Sequence, residues 1–103
     1  MARVTWHPDA LTDIDEISRY IGRDSSRYGR AFARKVFAST KRLSRYPRSG
    51  RIVPELEKGE VREVIVGDYR VIYRLLADEI DVQYVIHGAR LLTPGDLVQR
   101  ERP

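Results

Sequence analysis

Two histidines, His7 and His87, and the carboxylates Asp9, Asp13, Asp15 and Glu16 are the side chains of this chain suited to moving protons or holding a metal. The carboxylates fall in the early turns of a segment with helical periodicity. There they complement the positive end of the helix dipole by a few tenths to ~1 kcal/mol each. That duty accounts for them, and no catalytic carboxylate pair is assigned. His7 and His87 have no matched carboxylate cluster and fall short of three ligands, so no metal or other cofactor is expected. The absence of cysteine removes a thiol nucleophile, a thiolate metal site and a disulfide framework together. The remaining chemistry is cationic. From Arg23 to Arg51 there are ten Lys or Arg against one acid, Asp24, and Arg30 and Arg34 lie in the middle of this ridge. A solvated helix face explains such a run, and an acidic or nucleic partner is the alternative. Free-standing nucleic-acid binding ranks below that, because Phe32 and Phe37 are expected in the core and no aromatics interleave with the cations.

The whole is 103 residues long, with 42% hydrophobic and 33% charged residues and a net charge of +4. One core, and therefore one domain over residues 1–103, is what this length supports. No stretch has the length or apolarity of a signal peptide or a membrane span, and a cysteine-free chain of this kind is expected in the cytoplasm.

The elements that must position these groups are read from periodicity. Residues 3 to 6 are β-prone and stop at His7-Pro8, where proline suits a first helical turn. Leu11, Ile14, Ile17 and Ile21 form one apolar stripe that ends at Gly22. Asp24-Ser25-Ser26 offers caps for a second helix, whose buried stripe is Tyr28, Ala31, Phe32, Val36, Ser39 and Leu43, and which Pro47 halts. After a loop to Gly59 the pattern alternates, giving strands at 61–66, 69–76 and 80–87 with turns at Gly67-Asp68 and Asp78-Glu79. Turns this short force an antiparallel meander. A two-residue turn at Asp78-Glu79 sets Leu75 against Val82, Tyr73 against Tyr84 and Val71 against Ile86, the face the helices should cover. On the other face Arg70 lies across from His87 and Arg74 across from Gln83, with Ile72, Leu76 and Val85 between them. That mixed surface suits a partner. Arg62 falls opposite Tyr73 unless a bulge moves it beside Arg70, so its face stays open. The chain from residue 91 onward, polar after Pro94, is expected to be a mobile tail.

Several local patterns occur in a telling order: Trp6-His7-Pro8-Asp9-Ala10, then Ile14, Ile17, Tyr20 and Ile21, then Tyr46-Pro47-Arg48-Ser49-Gly50-Arg51. They continue with Val61-Arg62-Glu63, Gly67-Asp68-Tyr69-Arg70-Val71-Ile72-Tyr73 and His87-Gly88-Ala89-Arg90. Across nearly the whole chain this resembles the ParE/RelE toxin superfamily of bacterial plasmid-stabilisation and type II toxin–antitoxin systems. The resemblance implies an α+β fold: an N-terminal strand, a two-helix hairpin, then a three-stranded antiparallel meander with the helices packed on one sheet face. It also implies a hetero-oligomer with a ParD-like antitoxin whose C-terminal segment wraps the toxin.

The superfamily divides by target. RelE-like members cleave messenger RNA on the ribosome, a reaction that needs a base, an acid and cations for the phosphorane charge. Arg62, Arg70 and Arg90 fall where such cations occur, and His87 supplies an imidazole. Against this, Val64 stands at the position of a further cation, and no tyrosine follows Tyr84. The ending looks more like the ParE branch, which poisons DNA gyrase without catalysis of its own. On that reading Arg70, Ile72, Arg74, Val85, His87 and Arg90 on the sheet face, with Arg30 and Arg34 on the ridge, are partner-binding residues. Ribosome-dependent cleavage by Arg62, Arg70, His87 and Arg90 is the alternative.

Overall fold

The computed structural model describes residues 1–101. Its elements are β1 (Arg3–Trp6), α1 (Pro8–Gly22), α2 (Ser26–Arg45), β2 (Arg51–Ile52), β3 (Val61–Val66), β4 (Tyr69–Leu75), β5 (Glu79–His87) and α3 (Pro94–Gln99). One sheet runs in the order β1-β5-β4-β3-β2, with β1 parallel to β5 and the other pairs antiparallel. The expected α+β architecture is present, with a short edge strand, β2, added beside the meander.

Local chemistry explains the boundaries. The His7 Nδ1 accepts the Asp9 N–H at 3.0 Å, so this histidine caps α1 and Pro8 fills the first helical position. Ser25 accepts the Tyr28 N–H and starts α2. The helices meet at Gly29, where a Cβ would lie 2.4 Å from the Ser18 carbonyl, so only glycine allows this approach. Gly67 takes φ +59 in the turn that closes Val66 on Tyr69.

The hairpin of α1 and α2 covers one sheet face. Ala10, Ile14, Phe32, Val36 and Leu43 pack there on Val66, Val71, Tyr73, Ile80, Val82 and Val85. Leu11 and Phe37, expected inside, are 44% and 45% exposed; Phe37 rests against the Trp6 ring at 5.1 Å. Tyr28 is exposed as well.

The other sheet face is also buried, in contrast to the open surface expected of it. Val53, Val61, Ile72, Tyr84, Ile86, Leu92 and Leu97 form a second apolar cluster, with Leu56 at its edge. Its cover comes from the loop after β2 and from the chain beyond β5. The segment from residue 91, expected as a mobile tail, carries α3: Thr93 and Asp96 form a reciprocal capping box, Pro94 starts the helix, and Leu97 is 5% exposed. Residues 102 and 103, the end of that expected tail, lie outside the described residues.

The β4–β5 register departs from the arithmetic for two reasons. The hairpin turns one residue earlier, so that Leu76 N–H meets the Glu79 carbonyl and Leu75 faces Ile80. A bulge then falls between Ile72 and Tyr73: Tyr73 faces Val82, whereas Ile72 faces Tyr84. The extra residue, Gln83, flips every later side chain of β5. Tyr84 and Ile86 therefore join the second cluster, Val85 turns under the helices, and Tyr73 and Tyr84 lie on opposite faces rather than as a pair.

Candidate functional site

The strongest electrostatic feature is a buried ion cluster on the second sheet face. Arg70, near the start of β4 and 4% exposed, points between two carboxylates. Its Nε and Nη2 donate to one oxygen of Glu63 at 2.8 and 2.6 Å, and its two Nη groups donate to the two oxygens of Glu55 at 2.7 and 2.8 Å. Nη1 also donates to the Arg90 carbonyl at 2.8 Å. Glu63 lies two residues along β3 from the cross-strand partner of Arg70, which brings its side chain to the same face. Its second oxygen accepts from Arg51 Nε of β2 at 2.6 Å. Glu55 also accepts the Leu92 N–H at 3.0 Å. Burial pushes the Glu55 carboxyl up, but the Arg70 and Leu92 donors outweigh it and bring the pKa down to about 2. The same hydrogen bonds, the one Arg70 donates to Glu55 foremost, hold the Arg70 pKa above its ordinary value. This cluster ties β2, β3, β4 and the segment after β5 together.

A second ion pair closes the opposite end of that segment. Asp13 of α1 accepts the Val85 N–H at 3.0 Å and pairs with Arg100 at 2.6 Å. Arg100 donates to the Gln83 carbonyl at 2.8 Å, and its guanidinium stacks 3.8 Å from the centre of the Tyr84 ring. The Tyr84 hydroxyl donates to the Asp96 carbonyl at 2.8 Å. Since β1 ends opposite Val82, these contacts cover the stretch of β5 edge that β1 leaves unpaired.

The four residues named for RNA cleavage do not form one site. Arg62 faces Tyr73, at the far end of β3 from the Arg70 position, and its guanidinium is fastened to the carbonyls of Arg48, Gly50 and Gly59 at 3.0 to 3.1 Å. Arg70 is enclosed by its carboxylates. His87 sits across from Tyr69 rather than Arg70, edge-on to that ring at 5.6 Å, and its Nδ1 accepts the Ala89 N–H at 3.1 Å. Arg90 is half-exposed, 5.4 Å from the Tyr84 ring centre and 3.5 Å from Asp96.

Of the residues named for partner binding, Arg70, Ile72 and Val85 are buried and offer no surface in this conformation. Arg74 pairs with Glu101 at 3.0 Å and keeps a quarter of its side chain exposed. His87, Arg90, Arg30 and Arg34 are at the surface.

The sequence offered no role for Glu55 or Arg100, Glu63 figured only in a family motif, and Asp13 was assigned only to the helix dipole. Asp13 had a signal, since it sits three residues after Ala10 and four before Ile17, on the inward stripe. The Glu55–Arg70 contact had none, because a loop delivers the carboxylate.

The outer side of the helical hairpin carries a groove of about 630 Å³ between α1 and α2, lined by Leu11, Ala33 and Phe37 with Arg19, Arg23 and Arg30 at its rim. Among the described residues no three of His, Cys, Asp and Glu are grouped to hold a metal ion, and no helix is long and apolar enough to cross a membrane.

Comparison with known proteins accords with this architecture. A solved structure of the chromosomal ParDE toxin–antitoxin system from P. aeruginosa superposes with a TM-score of 0.71, covering 84% of this chain and 96% of that one at 18% identity. No curated protein matches the sequence. The family model of the ParE toxin of the type II toxin–antitoxin system parDE matches residues 4–92, which takes in β1 from its second residue and every element from α1 to β5. The chain belongs to that ParE toxin family.

Proposed function

We propose that this ParE toxin acts by binding and inhibiting DNA gyrase in the cytoplasm, has no nuclease activity of its own, and is neutralised by a ParD-like antitoxin. The observation that carries the reading is the state of Arg70. A cation meant to stabilise a pentacoordinate phosphate must be free to meet it, and this one is held by two carboxylates and a carbonyl. Arg62 is likewise occupied by three carbonyls. With these two removed, His87 and Arg90 lack the charge that RNA cleavage demands.

The antitoxin's C-terminal segment has a fitting receptor in the groove between α1 and α2. Its exposed Leu11 and Phe37 suit the apolar side chains of an extended or helical peptide, and its arginine rim suits acidic ones. Arg74, His87 and Arg90 remain available to either partner.

The reading predicts that purified toxin, added to gyrase and relaxed plasmid, blocks supercoiling and leaves protein-linked cleaved DNA. Adding the protein encoded by the adjoining gene should restore supercoiling. Full supercoiling at a large molar excess of folded toxin would overturn it.

A further inference from the structure

The basic ridge gains a definite geometry from the structure. Arg27, Arg34 and Lys41 recur every seven residues along α2, with Arg30 and Arg45 beside them, so these five cations share one outward stripe. All five are exposed. From Arg27 to Arg45 the stripe runs roughly 27 Å at 1.5 Å per residue. The chain has 15 acids, yet none lies between Ser25 and Pro54. Among the described residues none of the five makes an ion pair. A face that serves solubility alone interleaves both signs, as α1 does with its Asp15–Arg19 pair. Here Arg30 and Arg34, and Lys41 and Arg45, are instead like-charge neighbours four apart, which costs the helix stability and calls for an external anion.

We propose that this stripe is a docking surface for the phosphate backbone of duplex DNA. A peptide partner requires apolar anchors, and within the stripe only Ala38 is apolar; the apolar groove adjoins the stripe at Arg30 alone, and Arg27, Arg34, Lys41 and Arg45 do not line it. Single strands require stacking rings, and no aromatic residue lies in the row. A straight rod of cations without either feature matches a charged backbone read for position and not for sequence. Only the choice of DNA over duplex RNA rests on the gyrase reading, and the binding itself is independent of gyrase.

The test is fluorescence anisotropy of the full chain with a mixed-sequence DNA duplex of about 20 base pairs across a salt series. About four phosphate contacts give a slope of log K against log salt near −3.6. The triple variant Arg27→Gln, Arg34→Gln, Lys41→Gln should bind at least tenfold more weakly at 50 mM salt and flatten the slope to about −1. A variant of equal net charge, Arg3→Gln with Lys58→Glu, should keep the parental slope. Circular dichroism melts show that both variants fold. Equal losses in the two variants, no duplex binding by the parent, tighter binding to duplex RNA, or preference for polyglutamate over DNA would each overturn the proposal.

Discussion

Arg70→Ala is expected to destabilise the fold by about 3–5 kcal/mol, because it leaves two carboxylates facing each other without their shared cation. Glu63 has no side-chain exposure and Glu55 about a seventh. A small domain has a total stability of about 5–15 kcal/mol, so the variant would be partly unfolded at 37 °C. Urea unfolding followed by far-UV circular dichroism reads the change. Replacing the cluster as a whole, Arg70→Met with Glu55→Gln and Glu63→Gln, should recover most of the loss, since the penalty comes from orphaned charge and not from a missing net attraction. Full stability in Arg70→Ala would mean that the cluster is not closed as described.

The same cluster sets a pH dependence. The Glu55 pKa is depressed from an ordinary 4.5 to about 2, so its contribution is present in full above 4.5 and is lost as pH falls toward 2. Water reaches this carboxylate in part, so screening keeps the contribution to about 1–2 kcal/mol. Glu55→Gln should flatten the acid limb of stability in that window. It should leave the neutral and alkaline behaviour unchanged in shape.

Ending the chain at Thr93 should cost about 3–4 kcal/mol. Leu97 leaves the second cluster, a loss of roughly 1.5–3 kcal/mol for a buried leucine. Asp13 and the Val85 N–H lose the Arg100 guanidinium that completes their network. A second readout is local. Burial, the largest influence, raises the Tyr84 phenol above its ordinary 10.0, against the opposing pull of Arg100. Ultraviolet titration of the shortened chain should show that phenol moving back toward 10. Unchanged stability with an unchanged titration would mean that α3 adds nothing to the second core.

These two regions also mark where sequence reasoning stopped. The element order was legible because each signal was local: Pro8 and Ser25 at helix starts, Gly22 between helices, the change from helical to β-type periodicity from Val61 onward, and a turn glycine at Gly67. The second sheet face was not. Its polar members, Arg70 and Glu63, read as surface, and only a loop carboxylate from residue 55 and a chain segment 20 residues after Arg70 make them interior. The Gln83 bulge was equally hidden, since a one-residue insertion leaves no mark on the composition of a strand and yet reverses every side chain after it. Thr93-Pro94 with Asp96 did carry a readable capping box, outweighed in the reading by the polarity of the tail. For function the consequence is direct. Arg62 and Arg70, which sequence position assigns to a partner or a substrate, are held within the fold by carbonyls and carboxylates, while the cations of α2 stay exposed.

The central claim, that the sheet cations hold the fold together and do not cut RNA, is tested most directly by mapping transcript ends in a translating extract saturated with purified toxin. The account predicts intact transcripts at toxin concentrations that stop gyrase. Codon-positioned cuts that disappear with His87→Ala would contradict it and make the end of β5 an active site.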